Sequence, residues 1–389
     1  MDLHQQPRLP LGFTCAARNI GLKENAPDLA LFYSRVPASA AALFTRNHVV
    51  GAPVALGREL IRGGVLQAIV ANSKVANVGM GEQGLADARR MGAAAARELG
   101  VPPEHVLMSS TGVIGRKLPI DKIEAGLAGM KAELQPDPLV GARGIMTTDT
   151  HAKAISCDVA GATLTIIAKG SGMIEPNLAT TLIYIFTDAK LPAASLDGLL
   201  RAAADVSFNM LSIDSDTSTS DTCALLANGL AGEVDEDAFG GTLTALCTRM
   251  AEIMARDGEG ATKLLRARIS GAADRADARR IAKSIINSPL VKTMAYGADP
   301  NLGRVLMAVG KCFDCQVDPT RLSVRLNGVP VYDHGSRVDL GNESELRALL
   351  AGDPVEIEVD LALGDGQATA FGCDLTPGYI DENAAYYSS

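Results

Sequence analysis

The hydrophobic and polar positions of the chain alternate between two periods. Short apolar runs bounded by turn residues at 28–33 and 65–71 predict strands, and the alanine-rich, amphipathic stretch 84–99 predicts a helix. The apolar run from Val106 breaks into Ser109-Ser-Thr-Gly112, a strand ending in a turn. Residues 154–159 and 162–168, joined at Ala160-Gly161, predict a hairpin, and 182–186 a buried strand directly after a glycine-rich bend. Helical patterning follows at 191–205, 225–230, 241–256 and 273–286, with loops at 287–293 and 297–304. Strands at 322–326, 329–332 and 355–361 and a short helix at 344–350 complete the pattern. Strands alternating with helices, without a repeat or a low-complexity linker, predict a mixed α/β fold of layered sheets and helices. One intertwined unit with a smaller C-terminal subdomain is expected.

Composition narrows the class. A chain of 389 residues, 47% hydrophobic, can bury one large core or two ordinary ones. A formal charge of −9 argues against nucleic acid or an anionic membrane surface as the main partner. No apolar run approaches the ~20 residues of a membrane span, and the opening MDLHQQPRLPLGF lacks a charged segment followed by an apolar core, so a cytoplasmic location is expected. Seven scattered cysteines suit reduced thiols better than a disulfide framework. Cys312 and Cys315 have a spacing found in zinc and redox sites, but no second such pair or close histidine pair would complete a ligand set. A structural role is expected for them, and no metal site is assigned. The five histidines fall in no catalytic or metal-binding arrangement.

Candidate chemistry centres on the stretch from Lys169 to Thr180, KGSGMIEPNLAT, which runs straight into the apolar strand. A threonine becomes a nucleophile when a base takes its proton. An α-amino group on the same residue, with a pKa of about 7.7–8, is such a base once the chain is cut before it. Self-cleavage needs the Ala179 carbonyl held against the Thr180 hydroxyl in a strained turn, which a small residue near glycines permits. A glycine-rich turn before a buried strand is ordinarily only a turn, and both readings stand on these residues alone. Thr111-Gly112 can direct a hydroxyl and a backbone N–H the same way, as an oxyanion hole requires, or can simply end a strand. The polar loop 72–81, the turn Thr147-Thr-Asp-Thr150 and the glycine-flanked Glu259 suit substrate contacts and equally suit ordinary loops. Lys169, where an apolar strand enters a glycine loop, can anchor a carboxylate. The run 207–222, rich in Ser, Asp and Thr, offers oxygen ligands but lacks the spacing of a calcium loop.

Six segments taken in order resemble the ornithine acetyltransferases, the glutamate N-acetyltransferases of the acetyl-cycling arginine pathway. They are VPASAAALFTRN (36–47), STGVIG (110–115), GIMTTDT (144–150), KGSGMIEPNLATTL (169–182), SFNMLSIDSDTSTSDT (207–222) and ARDGEGATKL (255–264), followed by a terminus near Asn383. The resemblance implies an N-terminal-nucleophile-like fold in which fragments 1–179 and 180–389, produced by cleavage between Ala179 and Thr180, share sheets and stay together as an α2β2 heterotetramer. It implies acetyl transfer from N-acetylornithine to glutamate through an acetyl-Thr180 intermediate, with Thr111 and Gly112 forming the oxyanion hole. Thr147, Lys169, Thr180, Glu259, Asn383 and Ser388 would contact substrate. No metal or dissociable cofactor is implied, although some relatives accept acetyl-CoA as an alternative donor.

The chain departs from the family pattern at four positions. Lys74 and Val75 stand in a segment that usually reads Asn-Ser-Gly-Asn-Ala-Asn, Leu302 replaces a tryptophan and Ala385 an aspartate. These departures leave the acceptor open. A related acyltransferase with another amino-acid acceptor, an amidase or aminopeptidase using the same nucleophile, and a binding or assembly protein without activity are the alternatives.

Overall fold

The structure, a computed structural model, describes residues 1–175, 181–341 and 343–384, and these divide into two units. The first unit draws on 1–170, 181–209 and 217–250, the second on 171–175, 210–216, 251–341 and 343–384.

The strands of the first unit are β1 (Phe13–Arg18), β2 (Leu29–Phe44), β3 (Val65–Asn72), β4 (Val106–Ser110), β5 (Lys153–Val159), β6 (Ala162–Lys169), β7 (Leu182–Lys190) and β8 (Thr222–Glu233). They are ordered β4-β3-β2-β8-β7-β6-β5, with β1 also paired to β2. The helices are α1 (Ala52–Leu60), α2 (Gly81–Leu99), α3 (Ile120–Leu127), α4 (Pro138–Ile145), α5 (Ala193–Val206) and α6 (Glu236–Arg256), whose last turns belong to the second unit.

Strand β2 serves two layers. Its first half lies between β1 and β3, its register with β3 shifts between Tyr33 and Ala38, and its second half, Ser39–Phe44, pairs with β8. Pro37, which has no N–H for a ladder, falls in that shift. Phe32 from the first half meets the rings of Tyr184 and Phe186 on β7 at 5.1 and 5.7 Å, so the two halves of the sheet pack face to face. Alternate residues fill the space between them: Ala30 and Phe32, Ile69 and Ala71, Tyr184 and Phe186. The other faces of β2, β3 and β4, including Leu31, Val70 and Met108, pack with residues of α2 and α3. Burial on both faces explains why 65–71 reads as a continuous apolar run and not an alternating one.

The layered α/β architecture agrees with the sequence, but the element read at 225–230 does not. The helical patterning read at 225–230 is part of β8, a strand hydrogen-bonded to β2 on one side and β7 on the other. Ala224-Leu-Leu-Ala227 is buried at every position, and an alanine and leucine run of this length carries no period of its own. Tertiary pairing then overrides the helix propensity of alanine and leucine.

The second unit carries β9 (Leu264–Ala272), β10 (Ser323–Leu326), β11 (Val329–Asp333), β12 (Ser336–Arg337), β13 (Val355–Asp360) and β14 (Gly366–Cys373), ordered β12-β11-β10-β13-β9-β14. Its helices are α7 (Arg275–Ile286), α8 (Pro289–Tyr296), α9 (Leu302–Gly310), α10 (Glu343–Leu350) and α11 (Pro377–Asn383). Helix α7 packs on β9 and β14. This unit matches the expected smaller C-terminal subdomain, with the segments 171–175 and 210–216 threaded into it. Of the two predicted loops, 287–293 is largely helical, whereas 297–301 is a loop and only 302–304 are helical. Ser288 caps α8 by accepting the Val291 N–H with Pro289 at the first helical position, a start signal that the reading of 287–293 as a loop passed over. Residues 297–304 run into α9.

Candidate active site

Strands β3 and β4 are parallel, with Asn72 opposite Ser110, so the loops that follow them leave side by side. The Ser110 hydroxyl donates to Asn72 Oδ1 at 2.6 Å, and Asn72 Nδ2 donates to the Val75 carbonyl at 2.9 Å. The Thr111 N–H donates to the Asn72 carbonyl, the Val113 N–H to that of Lys74 and the Ala76 N–H to that of Val113, each at 3.0 Å. The two loops are thereby zipped together. Gly112 has φ +125°, and a Cβ there would fall 2.2 Å from the Lys74 carbonyl carbon. Only glycine fits. Because the Thr111 N–H is committed to Asn72, the donor Thr111 can offer an oxyanion is its hydroxyl. Gly112→Ala is expected to lower the melting temperature and turnover together, measurable by calorimetry and a transfer assay. On the other side of this contact Lys74 is held at φ +82°, a left-handed conformation that costs a non-glycine residue about 1–2 kcal/mol.

Lys169 ends β6 opposite Leu182, and the turn after α4 converges on the same place through Asp149. The Asp149 carboxylate pairs with Lys153 at 2.6 Å, with both side chains fully buried. It also accepts the Gly170 N–H at 2.6 Å and the Thr147 N–H at 2.9 Å. Burial works to raise its pKa, but Lys153, Lys169 and the Gly170 N–H together hold it below the ordinary carboxylate value. Lys23 Nζ donates to the carbonyls of Met146 (2.6 Å) and Pro27 (3.0 Å). Burial brings its pKa down to about 8, with Lys169 and Lys74 pressing the same way and Asp28 and Asp149 opposing. Lys23 lies close enough to Lys169 and Lys74 to be repelled by both and holds the carbonyl of Met146, which precedes Thr147, so the loops carrying Gly112, Thr147 and Lys169 converge in the first unit.

Asp149 gives a pH-dependent prediction. A carboxylate whose folded pKa is depressed contributes stability that is fully present above its unfolded value near 3.9 and is lost as pH falls through the folded value. Asp149→Asn leaves Lys153 buried without its counter-charge, so a loss of about 3–5 kcal/mol at pH 7 is expected. Denaturant melts should show that gap narrowing as pH is lowered from 5 to 2.

Asp221, at the foot of β8, is also buried, and one of its carboxyl oxygens has no hydrogen-bond partner. Burial pushes its pKa well above the ordinary carboxylate value despite Ser218 and Lys169.

In the second unit, Glu259 and Asn383, 124 residues apart in sequence, meet directly: Asn383 Nδ2 donates to Glu259 Oε2 at 2.8 Å and to the Tyr379 carbonyl at 2.9 Å. The Glu259 carboxylate lies over Gly172, where a Cβ would be 2.2 Å from Oε2, and the Glu259 N–H donates to the Ser171 carbonyl at 2.8 Å. Asp214 fastens the same segment by accepting the N–H groups of Met173 (2.6 Å) and Ile174 (2.8 Å), and Tyr379 Oη donates to it at 3.3 Å.

Ala179, Thr180, Ala385 and Ser388 lie outside the described residues. Thr181 is buried at the start of β7, where its carbonyl accepts the Thr222 N–H at 2.9 Å. Asn72 and Asp149 in the first unit, Asp214 in the second and Lys23 in the first fasten the loops around the candidate residues and were not singled out from sequence. A buried strand ending in Asn72, and an aspartate within each hydroxyl-rich turn, were the available signals for the first three. Nothing local marks Lys23. Cys312 and Cys315 are half-buried after α9, and burial with Asp277 pushes the Cys315 thiol up to about 11, which keeps it protonated at neutral pH.

Each unit thus gathers polar groups at its loops: a threonine-glycine turn and a lysine in the first, a glutamate-asparagine pair in the second. The model described as the ArgJ family matches residues 14–388, and the chain belongs to that family, an enzyme of the acetyltransferase class. It is 46% identical over 379 residues to the arginine biosynthesis bifunctional protein ArgJ 2 of Clostridium acetobutylicum, covering 97% of this chain and 98% of that protein. It is 44% identical over 387 residues to the glutamate N-acetyltransferase Oat2 of Streptomyces clavuligerus, covering 98% of each. Among solved structures it resembles the ArgJ of Bacillus halodurans with a TM-score of 0.50 and 36% identity, over 53% of this chain and 98% of that one. No helix among the described residues is long and apolar enough to cross a membrane.

Proposed function

We propose that the chain cuts itself between Ala179 and Thr180 and then carries an acetyl group from N-acetylornithine to glutamate on the new N-terminal threonine, as a cytoplasmic step of arginine biosynthesis. The freed amine of Thr180 takes the hydroxyl proton, and the oxygen attacks the acetyl carbonyl. The Thr111 hydroxyl and the Gly112 N–H stabilise the oxyanion. As it collapses the carbon–nitrogen bond breaks, and ornithine leaves with the proton on its amine. Glutamate enters, its amine attacks the acetyl ester, and Thr180 recovers its proton as N-acetylglutamate departs. Lys169 holds the α-carboxylate common to both amino acids, with Thr147 beside it, while Glu259, Asn383 and Ser388 bind the remainder. No cofactor takes part in this scheme. Acetyl-CoA is an alternative donor, since its thioester carries the same acetyl group.

The observation that carries this reading is the convergence of Thr111-Gly112 with Lys169 around Asp149, Lys23 and Lys74, next to the strand that Thr181 begins. The ArgJ chain solved from Bacillus halodurans also supports it. That chain is matched over 98% of its length by only 53% of this one, close to the share lying after Ala179, as expected if such chains exist as two fragments. Fragments 1–179 and 180–389 remain associated and pair as an α2β2 heterotetramer in this reading.

Lys169→Ala tests the shared pocket. It is expected to raise KM for N-acetylornithine and for glutamate together by roughly tenfold or more, the loss of one charge-assisted hydrogen bond, in ping-pong kinetics. A change confined to one substrate would remove Lys169 from this role.

A further inference from the structure

Lys169, Leu182, Thr222 and Phe44 are aligned across β6, β7, β8 and β2. One residue further out, at the end of the sheet, stand Gly170, Thr181, Asp221 and Thr45. The Thr222 N–H donates to the Thr181 carbonyl at 2.9 Å and the Thr45 N–H to the Asp221 carbonyl at 3.1 Å, so this outer row is fixed through the backbone. Thr181 and Asp221 are both buried. The side chains of Ser218 and Thr45 engage the Asp221 carboxyl, yet its Oδ2 has no hydrogen-bond partner among the described residues, and neither has the Thr181 hydroxyl. A buried polar group left in this state costs free energy, and two of them on adjacent strands of one row point to a further polar group that they serve.

Thr180 is joined to this row by one peptide bond, about 3.8 Å of chain from Thr181, and neighbouring strands lie about 4.8 Å apart. In the uncut chain its nitrogen is an amide. Cleavage before Thr180 would turn that nitrogen into an amine, and a base that must take a proton from one direction needs a third group to orient it. We propose that Asp221 is a positioning residue, the acceptor that orients the α-amine of Thr180 after cleavage and balances its charge once it has taken the hydroxyl proton. This deepens the acyl-transfer reading and rests on it for the cut and for the amine as base. The proton passes from the Thr180 hydroxyl to the amine as the new carbon–oxygen bond forms, and none is transferred to Asp221. Burial raises the pKa of the Asp221 carboxyl although Ser218, Lys169 and Thr45 oppose it, and a buried carboxyl gains most from a cation placed directly beside it.

The test is Asp221→Asn, which keeps the shape of the side chain and deletes its charge. Because the amine exists only after the cut, intact mass should still find this variant as two fragments. Its plateau rate of acetyl loading from N-acetylornithine should be roughly 10- to 100-fold below native, part of the roughly 10²–10⁴ that a positioned base contributes, with KM changed by less than about twofold. The rise of the loading rate with pH reports deprotonation of the amine, and a carboxylate beside an ammonium raises its pKa. The native rise should therefore lie at higher pH than that of Asp221→Asn, whose amine returns towards the ordinary value of about 7.7–8. A purely structural Asp221 would impair cutting and loading together without moving this rise. Asp221→Ser, smaller and also uncharged, is measured in the same way should Asp221→Asn not fold. The proposal is overturned if the variant loads at the native rate, if it loads slowly with the rise unmoved, or if neither variant folds. A native chain that stays uncut overturns the self-cleavage reading and this inference with it, whereas a cut and acetylated native enzyme matched by its Asp221→Asn variant overturns this inference alone.

Discussion

Thr180→Ala is expected to yield a single uncut 389-residue chain without transferase activity, whereas the native protein should run as two copurifying fragments, the second beginning Thr-Thr-Leu-Ile. The substitution removes the hydroxyl that would attack the Ala179 carbonyl, so no cut is made and no α-amine is released to act as base. It also removes the atom that would carry the acetyl group. Loss of a covalent nucleophile costs on the order of 10⁶ in turnover in serine enzymes, and here the base is lost with it. Thr180→Ser, which keeps hydroxyl and amine, should still cut and retain measurable turnover, separating the chemistry from misfolding. A Thr180→Ala protein that is cut at the same bond would rule out self-cleavage by this hydroxyl.

Thr111→Ala is expected to lower kcat by roughly 10²–10³, the cost of one oxyanion donor, with KM changed much less. The reason lies in the local hydrogen bonds. The Thr111 N–H is occupied by the Asn72 carbonyl at 3.0 Å, so the hydroxyl is the group this residue has to offer, and alanine keeps the backbone contact while deleting it. Thr111→Ser should restore most of the rate. An effect on KM alone would make Thr111 a substrate-binding residue and leave the oxyanion to Gly112 and other donors.

Much of this could be read from the chain because the relevant signals were local. The apolar run at 65–71, the alanine-rich helix at 84–99 and the hairpin turning at Ala160-Gly161 stand where their patterns put them. Residues 225–230 went wrong because a fully buried central strand and a buried helix segment have the same apolar, period-free appearance. Only the pairing with β2 and β7 separates them. Resemblance named Glu259 and Asn383 as candidates for substrate contact. Their direct hydrogen bond across 124 residues of sequence is a product of tertiary folding. Asp149 was hidden in a turn whose Thr and Asp residues have an ordinary capping explanation. Its organising role, holding Gly170, Thr147 and Lys153 at once, depends on β5, β6 and the end of α4 meeting. Lys23 could not have been found, because its partners are backbone carbonyls and its neighbours are brought to it by three other loops.

The central claim, acetyl transfer by way of Thr180, is tested most directly by intact-mass spectrometry of the purified enzyme mixed with N-acetylornithine and no acceptor. One acetyl group should appear on the fragment beginning at Thr180. It should be discharged on addition of glutamate, with N-acetylglutamate formed in equal amount. Loss of the acetyl group to water at the same rate with and without glutamate would contradict transfer and identify a hydrolase. Absence of any acetylated fragment while N-acetylglutamate still forms would contradict the covalent intermediate itself.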